Sequence, residues 1–384
     1  MPSLASFSTY HWDAIRKAFG SSDFPLKNSG LIHKTLEELS ALQEVNEEEI
    51  VTAKAGSLFI KNGLRYESTG GTISATQLKH EPWILGWDET LQPFIRLQYS
   101  LDENARVNRA KSFTKMTELA LLLLEETREQ KGFDLESKLD EALGEVGSFE
   151  NIFKDLTALY QAWAKDFPEG WGPETCWLID LKGGMPPAPG IPARVVKEGK
   201  TPRFVWAKPV RDRAKIAQGW DTTDRLMRKY VELGSKAAEF PFTIPMAFQN
   251  NSEGLTSHFY AIPLTTPDLN PCVVLDESVF MATTSETLSR ELAPIFRRAE
   301  HPTTQPDRGL FFSLDMAQFA NFVADWATLA QSEFPEEVTN PDKAEEFRKT
   351  VELLRKADGN ISLWSRIKEG KPKTSFHYRF KGLD

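Results

Sequence analysis

Apolar residues recur with two different periods along this chain, and the switches between them outline its elements. Leu31, Ile32, Leu36, Leu39 and Leu42 step by three and four and predict a helix over 31–42. Residues 12–19 predict a shorter helix, ended by Gly20. Residues 57–60 and 64–67 flank Asn62-Gly63, a strong hairpin signal because both turn residues accept positive φ. Residues 68–72 read as a polar loop, and 83–87 and 94–99 as strands. Alternation in the latter puts Phe94, Arg96 and Gln98 on one face and Ile95, Leu97 and Tyr99 on the other. The period then changes. Stripes over 113–124, 135–146 and 149–163, broken by Gly132, Gly144 and Gly147, make 104–167 mostly helical.

Residues 167–173 are dense in turn formers and mark a boundary between a helix-rich half, 1–170, and a second half, 171–384. Beyond it come a strand at 175–181, a Pro-rich loop at 183–192 and a strand at 204–207 that ends at Pro209. A helix over 221–236 follows, capped by Asp221 or Thr222. Strands are predicted at 242–248 and 257–263 around a polar loop, and at 272–275 and 279–282 around Asp276-Glu277-Ser278. Thr283-Thr284-Ser285 offers N-caps for a helix over 286–299. A strand at 310–314 leads into a helix capped by Asp315, and Pro341 opens another that runs to 357. Residues 361–365 and 374–380 close the chain as a hairpin, with Phe376, Tyr378 and Phe380 on one face. One unit recurs: a hairpin or strand, a small polar cap, then an amphipathic helix, at 203–236, 272–299 and 310–332. The expected class is therefore α+β, with antiparallel sheets, amphipathic helices packed on them, and repeated hairpin–helix modules.

The passage Cys272-Val273-Val274-Leu275-Asp276-Glu277-Ser278-Val279-Phe280-Met281-Ala282-Thr283-Thr284-Ser285, then a helix, then Gly309-Leu310-Phe311-Phe312-Ser313-Leu314-Asp315, resembles uncharacterised bacterial envelope or secreted proteins. Those proteins carry such hairpin–helix modules in series, and the hairpin from Ser362-Leu363-Trp364 to Phe380 is similar to their usual ending. The resemblance covers roughly 170–384. It implies an extracytoplasmic protein and no catalytic residue.

Composition narrows the function classes. Over 384 residues, 40% hydrophobic and 26% charged content excludes a wholly disordered chain. A net charge of −9 argues against duplex nucleic acid as a partner. The longest apolar run, 119–124, is far shorter than the roughly 20 residues of a membrane span. Residues 1–7 show no basic n-region or apolar h-region. The expected compartment is extracytoplasmic, with the leader absent from this sequence; the alternative is cytoplasmic. Cys176 and Cys272 are too few for a disulfide scaffold and read as two buried thiols, or as one long-range disulfide.

Catalytic signatures are absent: there is no G-x-S-x-G, G-x-G-x-x-G, Walker A loop or H-E-x-x-H. The six histidines are scattered, with none at metal-ligand spacing, so no catalytic residue, metal ligand or cofactor is assigned. Charge placement is more informative. Between Arg194 and Lys236 lie twelve basic and five acidic residues, a net +7, which leaves −16 for the rest of the chain. Arg203, Lys208, Arg211 and Arg213, near Trp206, are the expected ligand-binding residues, facing an anionic ligand or an acidic protein partner. Ten tryptophans read mainly as packing, and alternatively as a platform for carbohydrate. The leading expectation is a non-enzymatic binding or structural protein of the bacterial envelope. The alternative is a hydrolase of an envelope polymer, with an active site assembled from scattered Asp, Glu and His.

Overall fold

The β-rich segments answer their backbone hydrogen-bonding demand in one place: twelve strands among the described residues form a single antiparallel sheet. The computed structural model describes residues 30–31, 34–35, 37–39, 49–60, 63–74, 83–88, 91–101, 107, 111–112, 114–119, 122, 149–237, 248–252, 255–259, 266–297, 309–333, 346, 349–353, 359–368 and 371–379. The strands are β1 (Glu49–Ile60), β2 (Leu64–Ser74), β3 (Ile95–Ser100), β4 (Glu174–Gly184), β5 (Lys200–Pro209) and β6 (Phe248–Ser252). They continue with β7 (Leu255–Phe259), β8 (Cys272–Leu275), β9 (Val279–Thr283), β10 (Leu310–Asp315), β11 (Asn360–Lys368) and β12 (Lys371–Arg379). Their order across the sheet is β1-β2-β12-β11-β10-β3-β4-β5-β9-β8-β7-β6. The helices are α1 (Phe149–Gln161), α2 (Ala193–Glu198), α3 (Arg213–Ala237), α4 (Glu286–Phe296) and α5 (Met316–Glu333).

The α+β class holds, but the expected plural sheets are one sheet. Four hairpins of neighbouring strands supply much of it, and the joins between them are non-local. β3 pairs with β4 and β10, and β2 pairs with β12. The hairpin predicted around Gly63 (φ 112°) forms, with Ile60 opposite Leu64, so three residues rather than two connect its strands. Other boundaries move. Residues 68–72 belong to β2, because β1 runs back to Glu49 and pairs with them across a bulge after Thr52. The polar residues 249–252 form β6 rather than a loop, pairing with 255–258 of β7. Helix α3 begins at Arg213, where Asp212 Oδ1 accepts the Ala214 and Lys215 N–H groups, eight residues before the expected cap. Residues 83–87 are not a strand. The expected helix at 12–19, the stripe at 135–146, Pro341 and Phe380 lie outside the described residues.

The chain forms two compact units, each built from separated stretches. The first comprises 1–48, 104–168 and 218–243 and is helical where described. Phe167 is fully buried against the Trp163 ring (4.8 Å between centroids), and Lys115 Nζ bridges Glu38 and Glu118 at 2.7 Å each. Asp155 accepts from Lys229 and from Tyr230 Oη (3.1 Å), which ties α1 to α3. The second unit comprises 49–103, 169–217 and 244–384 and holds the sheet. One of the unit boundaries, between 168 and 169, falls inside the turn-dense run at 167–173.

Cross-strand partners share a face, so register assigns the two faces of the sheet. One face carries Cys176, Leu178, Val205, Ala207, Cys272, Val274, Val279 and Met281, packed under Leu288, Leu292 and Phe296 of α4. This core face explains α4: Ser285 Oγ accepts the Leu288 N–H at 3.1 Å, and the helix buries an apolar stripe. Both thiols are free and buried here. β5 and β9 lie between their strands, which puts the cysteines about 14 Å apart and beyond the reach of a disulfide.

Candidate functional site

The five residues singled out by charge do not converge. Arg203 sits on the core face of β5 and is buried. Its Nε donates to Asp180 Oδ1 and its Nη1 to Asp268 Oδ1, both at 3.0 Å, and Glu291 Oε2 lies 3.7 Å from Nη2. Asp268 in turn accepts the Gly184 N–H (2.8 Å) and the Ser285 hydroxyl (3.3 Å). Arg203 is thus the centre of an internal staple joining β4, β5, the 267–269 turn and α4. Trp206 and Lys208 point to the opposite face. The Trp206 ring meets Trp171 (5.0 Å), Trp177 (5.4 Å, stacked) and Phe280 (5.6 Å), and Lys208 Nζ lies 5.2 Å from the Trp171 ring centre. Arg211 is exposed at the entry to α3, and Arg213 lies 3.7 Å from Glu277.

A different constellation does converge, centred on β3. Its burial is the reverse of what side-chain polarity suggests. Arg96, Gln98 and Ser100 are buried, whereas Ile95, Leu97 and Tyr99 are only half-buried. Arg96 is on the core face, where its guanidinium carbon lies 3.4 Å from the Trp87 ring centre and 4.8 Å from that of Phe311. Its Nε donates to Gln98 Oε1 at 2.9 Å, as does Nη2. Gln98 Nε2 donates to Glu174 Oε1, and Glu174 Oε2 accepts the Ile84 and Leu85 N–H groups. This is why 83–87 fails as a strand: its backbone donors go to a carboxylate rather than to a ladder. Burial pushes the Glu174 carboxyl up to about 7, against the opposing pull of Gln98, the two N–H groups and Arg96.

Register then carries the polar row sideways. Arg96 is opposite Ser313, Ser313 opposite Ser362, Ser362 opposite His377, and His377 opposite Arg65. The two serines are small, and above them lies a cavity of about 560 Å³. Arg96, Trp87 and Phe311 line one end; His377, Arg379 and Asn360 line the other. Leu91, Gln92 and Pro93 line it as well, with Asp315 beside Ala317. Asp315 is already engaged as the cap of α5: Oδ1 accepts the Gln318 N–H (3.0 Å) and Oδ2 the Gln318 side-chain amide (2.9 Å). His377 Nε2 is shut off from solvent without a hydrogen-bond partner. A volume of this size falls within the range of small-molecule pockets. Among the described residues, no group of three or more His, Cys, Asp or Glu is placed to hold a metal ion, and no helix is long and apolar enough to cross a membrane.

The sequence reading noticed the alternation of Arg96 and Gln98 but not their site, because Ser313, Ser362 and His377 come from strands more than 200 residues away. Two Ser residues facing Arg and His across four strands carry no local signature. Comparison with protein-family models, with curated proteins and with solved structures finds no match to this chain.

Proposed function

We propose that this is a non-enzymatic binding protein of the bacterial envelope that holds an anionic ligand in the cavity over Ser313 and Ser362. The observation that carries this is the cavity itself: Arg96 is buried at one end, Arg379 is exposed at the other, and small polar residues lie between them. Arg96 lies along the same face as Arg379, while Asp315, the one lining carboxylate among the described residues, is engaged by Gln318. A buried cation such as Arg96 acts at low dielectric and attracts an anion more strongly than an exposed one does. The envelope placement is supported by the resemblance of 272–315 and of the closing hairpin to envelope or secreted proteins. In the same reading β8–β9–α4, β10–α5 and β5–α3 are successive copies of a hairpin–helix module.

The hydrolase alternative would rest on Asp315 and His377, which line the same cavity. With both Asp315 oxygens engaged, the binding reading is the better supported. Calorimetry against a panel of small anions and their neutral analogues tests it. Binding of at least one anion, weakened tenfold or more by Arg379→Glu, is the expected result. No anion binding at millimolar concentration would refute it.

A further inference from the structure

The polar row asks for more than negative charge. Ser313, Ser362 and Asn360 each present groups that both donate and accept hydrogen bonds, and the serine pair makes a floor two strands wide. His377 lines the far end of the same cavity. Ser313 and Ser362 are half-buried and Asn360 is exposed, so a ligand that displaces their hydration keeps affinity only if it replaces those hydrogen bonds. An acyl carboxylate would leave the serine floor and Asn360 unmatched. A ligand with several hydroxyls would satisfy them. Arg96 and His377 are three strand steps apart, about 14 Å between backbones at ~4.8 Å per step. The cavity of about 560 Å³ has room for a single ring. Trp87, Phe311 and Leu91 give that ring apolar edges to rest against.

From this row we infer that the cavity takes a polyhydroxylated organic anion of single-ring size, a sugar acid or a sugar phosphate, with its hydroxyls over Ser313 and Ser362 and its charge toward Arg379. This rests on the binding reading above and names the ligand class for that same cavity. The negative group is placed at Arg379 because that side chain is exposed at the mouth, where an anion loses least hydration. Arg96, buried and bonded to Gln98, supplies positive potential from the closed end.

The test is calorimetry of the full chain with four probes: glucuronate, glucose 6-phosphate, glucose and hexanoate. Glucuronate or glucose 6-phosphate is expected to bind at least tenfold more tightly than both glucose and hexanoate. Whichever of the two binds more tightly identifies a carboxylate or a phosphate as the preferred anion. Ser362→Val, which removes a hydroxyl and narrows the floor, is expected to weaken the sugar anion tenfold or more while moving hexanoate less than threefold. Arg379→Gln, at an exposed position, is expected to weaken both charged sugars and to leave the fold intact by circular dichroism. Hexanoate binding as tightly as glucuronate would overturn this inference and leave the anion-binding reading standing. Glucose binding as tightly as glucuronate would overturn both, as would failure of all four probes to bind.

Discussion

Glu174→Gln isolates the most perturbed carboxyl of the sheet. In the folded protein the carboxyl lies behind Gln98, two residues from Cys176, with Arg96 the nearest cation on the neighbouring strand. Its pKa rises from an ordinary 4.5 to about 7 because burial penalises the charged form. A raised carboxyl binds its proton more tightly in the folded state. Its contribution is therefore fully present below pH 4.5 and is lost as pH climbs through about 7. The shift corresponds to about 3 kcal/mol at 1.36 kcal/mol per unit. Glutamine is neutral at every pH and still offers Oε1 to the Ile84 and Leu85 N–H groups. Urea unfolding of both proteins between pH 4.5 and 8.5 is the assay. Subtracting the two stability curves cancels every other titrating group. The difference is expected to move by about 3 kcal/mol in favour of the variant as pH rises, accruing between pH 4.5 and about 7 and levelling off above that. Parallel curves would show that Glu174 titrates normally, and would refute the burial argument.

Other outcomes follow from the same contacts. Arg203→Met leaves Asp180 buried and Asp268 half-buried without their cation, and is expected to lower stability by about 3 kcal/mol in urea melts; a loss under 1 kcal/mol would show the staple to be idle. Gly63→Ala forces a side chain onto φ 112° and sets its Cβ 2.1 Å from the Tyr378 carbonyl oxygen, so a loss of about 1–3 kcal/mol is expected by thermal unfolding, against no change if the turn can relax. Burial pushes the Cys176 thiol up to about 12 and the Cys272 thiol up to about 11; a thiol reagent is expected to modify both only in denaturant, and prompt modification of the native protein would contradict their burial.

Local chemistry made much of this fold legible. The Asn62-Gly63 turn, the Asp276–Ser278 turn, the Ser285 and Asp315 caps and the closing hairpin stand where short-range signals put them. What failed was long-range. Nothing near residue 95 says that its partners are residues 179 and 314, so one sheet read as several. Alternation separates Arg96 and Gln98 from Ile95 and Leu97, but it does not say which set is covered. Glu174 and Trp87 supply partners that let the polar set be buried. The charge island is a property of composition and not of one surface, because β5 sends Arg203 to one face and Lys208 to the other. Residues 83–87 are apolar enough for a strand, but the Ile84 and Leu85 N–H groups go to the Glu174 carboxylate and the Gly86 N–H to the Phe296 carbonyl.

The position of β3 also sets a timetable for synthesis. It lies between β4 and β10, so its two neighbours are made 80 and 210 or so residues after it. At roughly 5–20 residues per second, the β10 side of β3 goes unpaired for about 10–40 s after the strand is translated. The serine floor and the histidine arrive on the last strands of all. The ligand cavity is consequently a late product of the ribosome, and a nascent chain cut short before residue 310 keeps Arg96 and Leu178 opposite it but lacks Ser313 on the cavity side.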